Sequence, residues 1–446
     1  MSTPYETNVD AIRDAHFPHD GNHLKIGGAR ISDLAQEFGT PFYAYDKTII
    51  QSQLTSLRAA LPNFDCFYSV KANPNPSILK LLLEAGCGLE VASGGELELA
   101  VLCGCKPSRI MFAGPGKTPS ELELAVATGI AEIHIESLDE IEILGAIACR
   151  KQVIVSVSIR VNPAVGAQGA SQQMAGKAAA FGLDEELIED AVRAIQHQPN
   201  LHLSGLHVFA GTQNLSAASF EALYSNILAL AERVCLIAGQ PLQTVDFGGG
   251  FGVPYFPGDS ALNLKTLSDV IQRTMQTAKT KPHLAKTRMV VEPGRFLVAE
   301  AGIYVTRVTN IKTSRGIHFA VLDGGLSHHL PSSGQFGQVV KRNFPIEVAN
   351  KIGALRTTTY ELVGPLCTPL DVVGRGVRMP TLEAGDLIVI LQSGAYARTT
   401  SPLGFLSHYD PMELFVEDGR AEVIRTRGTI ADIVRGTELG RRLTQV

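Results

Sequence analysis

Nothing in this chain approaches the length of apolar sequence that a membrane demands. Its longest hydrophobic runs, such as Val153–Ile159, fall far short of the roughly 18–20 residues a spanning helix needs. The opening stretch Met1–Asp20 is polar and acid-bearing, without the apolar core of a secretory signal. Cysteine is sparse and unpatterned. There are seven, an odd number, none in a C-x-x-C pair, and Cys103 and Cys105 stand too close for ordinary metal-ligand spacing. That argues against a disulfide framework and offers no metal site, leaving a reduced cytoplasmic setting as the expectation. Excess charge is missing too. A formal net charge of −5 and a pI near 6.2 give no basic footprint for nucleic acid. No internal sequence repeat is detectable. The partners left are small molecules and other soluble proteins.

What is present is the composition of a globular protein, 45% hydrophobic and 19% charged. At 446 residues the chain exceeds the ~250–300 that one core usually serves, so about two domains are expected. Between Asp65 and Arg295 one pattern recurs: a short β-rich run ends in a polar or glycine residue, then an amphipathic helical stretch follows. The runs are Cys66–Lys71, Gly88–Val91, Arg109–Ala113, Ile133–Glu136, Val153–Val161, Leu203–Phe209, Thr244–Gly248 and Met289–Glu292. Helical spacing shows at Ile78, Leu81, Leu82 and Ala85, and starts are marked by Ser93, Ser137 and Pro119–Ser120. Eight such units predict an α/β fold, a closed parallel (β/α)8 barrel over 47–300. After Ala301 strand-like segments lose their helices: Tyr304–Ile311, Ile317–Leu322, Thr357–Leu362, Leu387–Gln392 and Glu422–Arg427. Residues 301–446 therefore read as a C-terminal all-β domain, which the N-terminal segment 1–46 partly joins through Phe42–Tyr45.

In such a barrel the chemistry collects at the C-terminal ends of the strands. Here those ends carry Lys71, Glu90, Glu136, Arg160, His207, Gly248–Gly250 and Glu292–Arg295. So many ionisable groups on one face are hard to explain as packing, because charge is rarely buried for stability alone. Taken singly, each has an ordinary reading. Lys71, in Tyr68-Ser69-Val70-Lys71-Ala72-Asn73, could be a surface lysine; in a barrel mouth, desolvation would make its amine a better nucleophile toward a carbonyl. His207 could be a structural histidine, and Glu292-Pro293-Gly294-Arg295 an internal salt bridge. The run Gly248-Gly249-Gly250 directly after a strand lets backbone N–H groups approach a phosphate, but lacks dinucleotide-binding spacing. Gly114-Pro115-Gly116-Lys117-Thr118 mimics a nucleotide loop and fails, since Met111 stands where the first glycine should be. Cys367, in Gly364-Pro365-Leu366-Cys367-Thr368-Pro369, and Tyr396, in Ser393-Gly394-Ala395-Tyr396, would ordinarily be packing residues.

Taken together and in order, these segments resemble the fold-type III pyridoxal-phosphate decarboxylases, the family of diaminopimelate, ornithine and arginine decarboxylases. The likeness runs from Phe42 to about Gly428. It implies pyridoxal 5'-phosphate as cofactor and a head-to-tail homodimer with shared sites. It further implies that Lys71 carries the cofactor as a Schiff base, that His207 stacks on the cofactor ring, and that Glu292 pairs with the pyridine nitrogen. The backbone at Gly248, Gly249, Gly250, Gly294 and Arg295 would grip the phosphate, with Thr212 and Tyr396 adding hydroxyls. Glu90 and Arg160 would lie near the ring. Cys367, reaching in from the partner subunit, is the expected proton donor, and Arg295, Cys367, Thr368 and Tyr396 would face the substrate.

Two departures bear on the substrate. Diaminopimelate and ornithine enzymes place an acid directly after the cysteine, to bind the distal ammonium; this chain has Thr368. The Arg-x-x-x-Tyr segment of diaminopimelate enzymes is also replaced, by Ser332–Gln338 reading SSGQFGQ. An ammonium without a carboxylate is costly to bury unless Glu136 or Asp371 substitutes. The motifs around His207, Gly248 and Cys367 are closer to a secondary-metabolism subgroup, the butirosin-type enzymes that decarboxylate glutamyl groups held on an acyl-carrier protein. The alternatives are a diaminopimelate decarboxylase of lysine biosynthesis, a racemase, which would want an arginine at the pyridine nitrogen, and a non-catalytic relative.

Overall fold

A computed structural model describes residues 2–164, 170–173, 178–335, 338 and 340–438. The chain divides into two compact units, one formed by Ile50–Pro254 with Gly258–Ala299, the other by Met1–Ile49, Tyr255–Pro257 and Glu300–Val446.

The first unit is the barrel. Its strands are β1 (Phe64–Ser69), β2 (Gly88–Val91), β3 (Ile110–Phe112), β4 (Glu132–Ile135), β5 (Val155–Asn162), β6 (Leu201–His207), β7 (Thr244–Asp246) and β8 (Arg288–Val291). Each pairs in parallel with its neighbours, β8 returns to β1, and β4 pairs with β5, so the sheet closes. The helices start where side chains can satisfy free backbone donors. The Ser93 hydroxyl accepts from the Glu96 N–H at 3.2 Å and Ser137 from Glu140 at 3.1 Å. The helix Pro119–Thr128 begins at the expected Pro119, with Thr118 as its cap in a capping box with Glu121. Inside the barrel Phe67, Met111 and Val290 pack together. Toward the other end Glu132, 3% exposed, takes hydroxyl hydrogen bonds from Thr244 at 2.5 Å, Ser204 at 3.3 Å and Ser158.

The second unit is built on one large sheet. Its path runs Val372–Met379, Thr358–Val363, Ile317–Leu322, Gly302–Ser314, Phe42–Asp46, Met412–Glu417, Arg420–Arg425, with Leu387–Ile390 and Ile346–Val348 joined to one side. Phe42–Asp46 pairs antiparallel with Gly302–Ser314 and parallel with Met412–Glu417. Its core gathers Phe42, Ala44, Ile303, Val305, Val389 and Leu414. Of the strands that the pattern did not predict, Ile346–Val348 is three residues long and Val372–Met379 is interrupted by Gly374 and Gly376, whereas the six-residue Met412–Glu417 has neither feature.

All seven cysteines are free, the nearest approach being Cys66 to Cys87 at 3.9 Å. Among the described residues no helix is long and apolar enough to cross a membrane.

Candidate active site

Lys71 does not end β1. It sits in the 3-10 turn Val70–Ala72 just beyond it. That turn packs against the one after β8: the Ser69 N–H donates to the Pro293 carbonyl at 3.2 Å. A Cβ on Gly294 would stand only 3.0 Å from that of Ala72. The Lys71 ammonium lies 3.1 Å from both oxygens of Glu90, whose side chain is 1% exposed against 44% for the lysine. The sequence reading gave burial the task of activating this amine. In the structure the amine is instead half-exposed and lies against a buried carboxylate, within reach of proton exchange. Close by, burial pushes the Glu96 carboxyl up to about 7, even though the Ala92 N–H donates to it at 2.7 Å.

Arg160, at the end of β5, meets Glu136 at 2.5 Å and lies over the Phe181 ring. Glu136 also accepts the N–H groups of Gly114 at 2.6 Å and Gly182 at 3.0 Å. Burial pushes its carboxyl up, but Arg160 and Lys117 outweigh that and hold it below the usual range. Lys117, from the segment that mimics a nucleotide loop, is 1% exposed. Its amine is spent on the carbonyls of Gly114 and His134 and on Glu140, at 2.6, 2.8 and 2.8 Å. The segment is structural.

At the barrel centre His207 ends β6 and Glu292 follows β8. The His207 Nε2 and the Glu292 Oε2 are 3.2 Å apart. Burial first, and then Arg160, pushes the His207 imidazole down to about 3, so it is neutral. A neutral ring beside a carboxylate carries its hydrogen on Nε2, leaving Nδ1 as a bare lone pair. His134, on β4, stacks on His207 with centroids 4.4 Å apart and planes 28° apart. Burial holds it well below the ordinary histidine range as well. Asp246, at the end of β7, completes the group, and ligand atoms of all four side chains lie within 4.8 Å of one another. His134 and Asp246 escaped the sequence reading. A usable signal was there in β4, where Glu132, His134 and Glu136 alternate with isoleucines, a polar face inside a barrel.

Both nitrogens of His134, His207 Nδ1, Asp246 Oδ2 and Glu292 Oε1 are buried without a hydrogen-bond partner. Each such atom costs ~1–3 kcal/mol, so the group is built to meet something polar. Beside it runs the glycine turn. Gly248 and Gly250 have φ of +65° and +91°, and a Cβ on Gly249 would lie 2.2 Å from the Glu292 carbonyl oxygen. Thr212 is half-buried on the strand Gly211–Asn214, and Arg295 opens the short helix Arg295–Val298.

Cys367, Thr368 and Tyr396 belong to the β unit. Cys367 is exposed on a loop tied down by Asp371, whose carboxylate accepts the N–H groups of Leu326 at 2.6 Å and Leu366 at 2.8 Å. The Thr368 hydroxyl accepts the Leu370 N–H at 3.3 Å, and Tyr396 has a φ of +57°. Of the segment Ser332–Gln338, Ser332 and Ser333 lie in a 3-10 turn, while Phe336 and Gly337 fall outside the described residues.

Comparison with known proteins agrees with this geometry. Residues 47–299 match the pyridoxal binding domain of the pyridoxal-dependent decarboxylases. The chain belongs to that family. It is 37% identical to the L-glutamyl-(BtrI acyl-carrier protein) decarboxylase of Niallia circulans, over 92% of this chain and 96% of that one. The diaminopimelate decarboxylase of Aquifex aeolicus is 31% identical over 92% of this chain and 95% of its own. Among solved structures, the diaminopimelate decarboxylase of M. jannaschii with L-lysine superposes with a TM-score of 0.88 at 25% identity, covering 96% of this chain and 99% of that one. The chain is thus a pyridoxal-phosphate-dependent carboxy-lyase acting on an amino acid, with a (β/α)8 barrel and a separate β unit.

Proposed function

We propose that this decarboxylase acts on an amino acid whose distal end is uncharged or acyl-linked, a glutamyl group on an acyl-carrier protein being the best candidate. One observation carries the reading: neither acid that could replace the missing one at Thr368 is free. Glu136 is held by Arg160 and two backbone N–H groups, and Asp371, 2% exposed, by two more. An ammonium buried without a counter-charge costs several kcal/mol, whereas a thioester needs none. The glutamyl-carrier relative at 37% identity supports the same reading.

The residues present fit the cofactor. Glu292 Oε1 and the other unpartnered atoms form a polar floor, and the glycine turn is a cradle that side chains would fill. The same four side chains could by spacing hold a cation; a protonated ring nitrogen meets the same need. When bound, pyridoxal phosphate draws off the electron pair left on the substrate as carbon dioxide departs. Lys71 supplies the amine that holds it, and Glu90 takes and returns that amine's proton. Glu292 would hold a negative charge at the ring nitrogen, its carboxylate positioned by His207 Nε2, and His207 would stack on the ring. Backbone N–H groups of Gly248, Gly249, Gly250, Gly294 and Arg295, with the hydroxyls of Thr212 and Tyr396, bind the phosphate. Arg160 would border the ring, Arg295, Tyr396 and Thr368 of the partner subunit would face the substrate, and Cys367 of the partner subunit would protonate the product in a homodimer.

Carbon dioxide release should be measured from L-glutamyl carrier protein, free glutamate, ornithine, lysine and meso-diaminopimelate. We expect kcat/KM for the carrier-bound substrate to exceed that for the diamino acids by ~100-fold or more, about 2.7 kcal/mol. Thr368→Glu should narrow the gap. Efficient turnover of meso-diaminopimelate by the unmodified protein would instead identify a diaminopimelate decarboxylase.

A further inference from the structure

We infer that Asp246 is a positioning residue that carries its own proton and ties the Glu292 carboxylate to the phosphate turn. The inference rests on the reading that Glu292 faces the cofactor's ring nitrogen, and it adds a residue that the reading does not use.

Asp246 ends β7 and is 0% exposed. Its two oxygens face different ways. Oδ1 accepts the N–H of Gly248 at 2.8 Å, two residues on, which fixes the first residue of the glycine turn. That turn is bound to the Glu292 backbone as well, since the Glu292 N–H donates to the Gly248 carbonyl at 2.8 Å. Oδ2 is buried among Glu292, His134 and His207 and has no hydrogen-bond partner, like Glu292 Oε1.

Two carboxylates within 4.8 Å in a dry interior repel by ~3–4 kcal/mol even at an effective dielectric of about 20. The surroundings do not relieve this. The titratable groups around Asp246 are Glu292, Glu132, Tyr224, His134 and His207. Two are acids, the tyrosine is buried, and both histidines are held neutral. No cationic side chain belongs to this group, so one carboxyl keeps its proton. Glu292 has the His207 N–H as a donor, and Asp246 has only a backbone amide. Burial and the neighbouring Glu292 accordingly push the Asp246 carboxyl well above the ordinary range. A protonated Asp246 can donate to Glu292, turning repulsion into a hydrogen bond. One side chain would then set both the position of the Glu292 carboxylate and that of the glycine turn.

An asparagine copies a protonated aspartate: its oxygen accepts from Gly248 and its amide donates to Glu292. Asp246→Asn and Asp246→Ala should be compared in the purified enzyme by pyridoxal-phosphate titration and by the pH profile of the bound cofactor's visible absorbance. Asp246→Ala should weaken cofactor binding by ~10-fold or more and move the profile, and Asp246→Asn should rescue both. Rescue supports the inference. An asparagine variant as damaged as the alanine variant, or an alanine variant like the parent, overturns it. Should the alanine variant not fold, the cofactor-free protein still decides. A buried acid with a raised pKa stabilises the fold below the unfolded value and loses that contribution as pH rises toward the folded one. The melting temperature of Asp246→Asn should therefore gain on the parent as pH rises above the unfolded aspartate's value of about 4; a constant gap across that rise means Asp246 is ionised throughout and the inference is wrong. The Glu292 reading is tested separately by Glu292→Gln. If that variant turns over normally, the failure lies with Glu292 and not with Asp246.

Discussion

At the scale of single residues, the site separates groups that act by charge from groups that act by shape. Glu292 is of the first kind. Its carboxylate meets the N–H of a neutral His207 and is buried in the barrel. Glu292→Gln keeps the size and an oxygen for His207 but removes the negative charge that holds a proton on the ring nitrogen. We expect kcat to fall by ~10²-fold or more, about 2.7 kcal/mol of barrier. Cofactor affinity should change little, because the glycine turn is untouched. Steady-state kinetics at saturating cofactor check this, and near-normal turnover refutes the assignment. Residues were also where sequence reading reached furthest and missed most. Lys71, His207 and Glu292 stood out because each ends an apolar run. Asp246 lay inside the run Thr244–Gly248 yet has no mark of its own there, since its significance comes from Glu292, a contact between strands that neither run reveals alone.

At the scale of elements, all eight barrel strands were legible, because a short apolar run between amphipathic helices has few other homes. The β unit was less so. Strands such as Ile346–Val348 are three residues long and held by pairing with Leu387–Ile390, a long-range contact with no local signature. The glycine turn lies between these cases: its composition announced a close approach, and only the structure shows to what. A Cβ at Gly249 would sit 2.2 Å from the Glu292 carbonyl oxygen, backbone against backbone, where no side chain can swing aside. Gly249→Ala must therefore move the turn relative to Glu292. Pyridoxal-phosphate affinity should drop by ~10-fold or more, with lost stability of the order of 1–3 kcal/mol. Gly116→Ala, where a Cβ would meet nothing within 4 Å, serves as the control and should leave affinity unchanged. Equal affinity in the two variants would remove the turn from the phosphate site.

At the scale of the whole molecule, the proposed chemistry is distributed over both units. Lys71, Glu90, His207 and Glu292 lie in the barrel, whereas Cys367, Thr368 and Tyr396 lie in the β unit, Cys367 exposed on a loop that Asp371 holds in shape. Such a loop is suited to serve a neighbouring copy: its geometry is fixed from behind while its thiol faces outward. If the dimer shares its sites, each site takes Lys71 from one subunit and Cys367 from the other. Lys71→Ala and Cys367→Ala subunits should each be inactive alone. In a hybrid of the two, one site carries both lesions and the other carries neither. Random exchange in an equal mixture makes about half of the dimers hybrid, and each hybrid has one intact site of two, so about a quarter of the parent activity should return. A site contained within one chain predicts the opposite, because every chain in the mixture then bears a lesion in its own site. Subunit exchange must be shown independently, by native mass spectrometry of differently tagged chains. Given exchange, recovery near a quarter supports shared sites, and a mixture that stays inactive places Lys71 and Cys367 in one chain's site or removes Cys367 from the chemistry's geometry altogether.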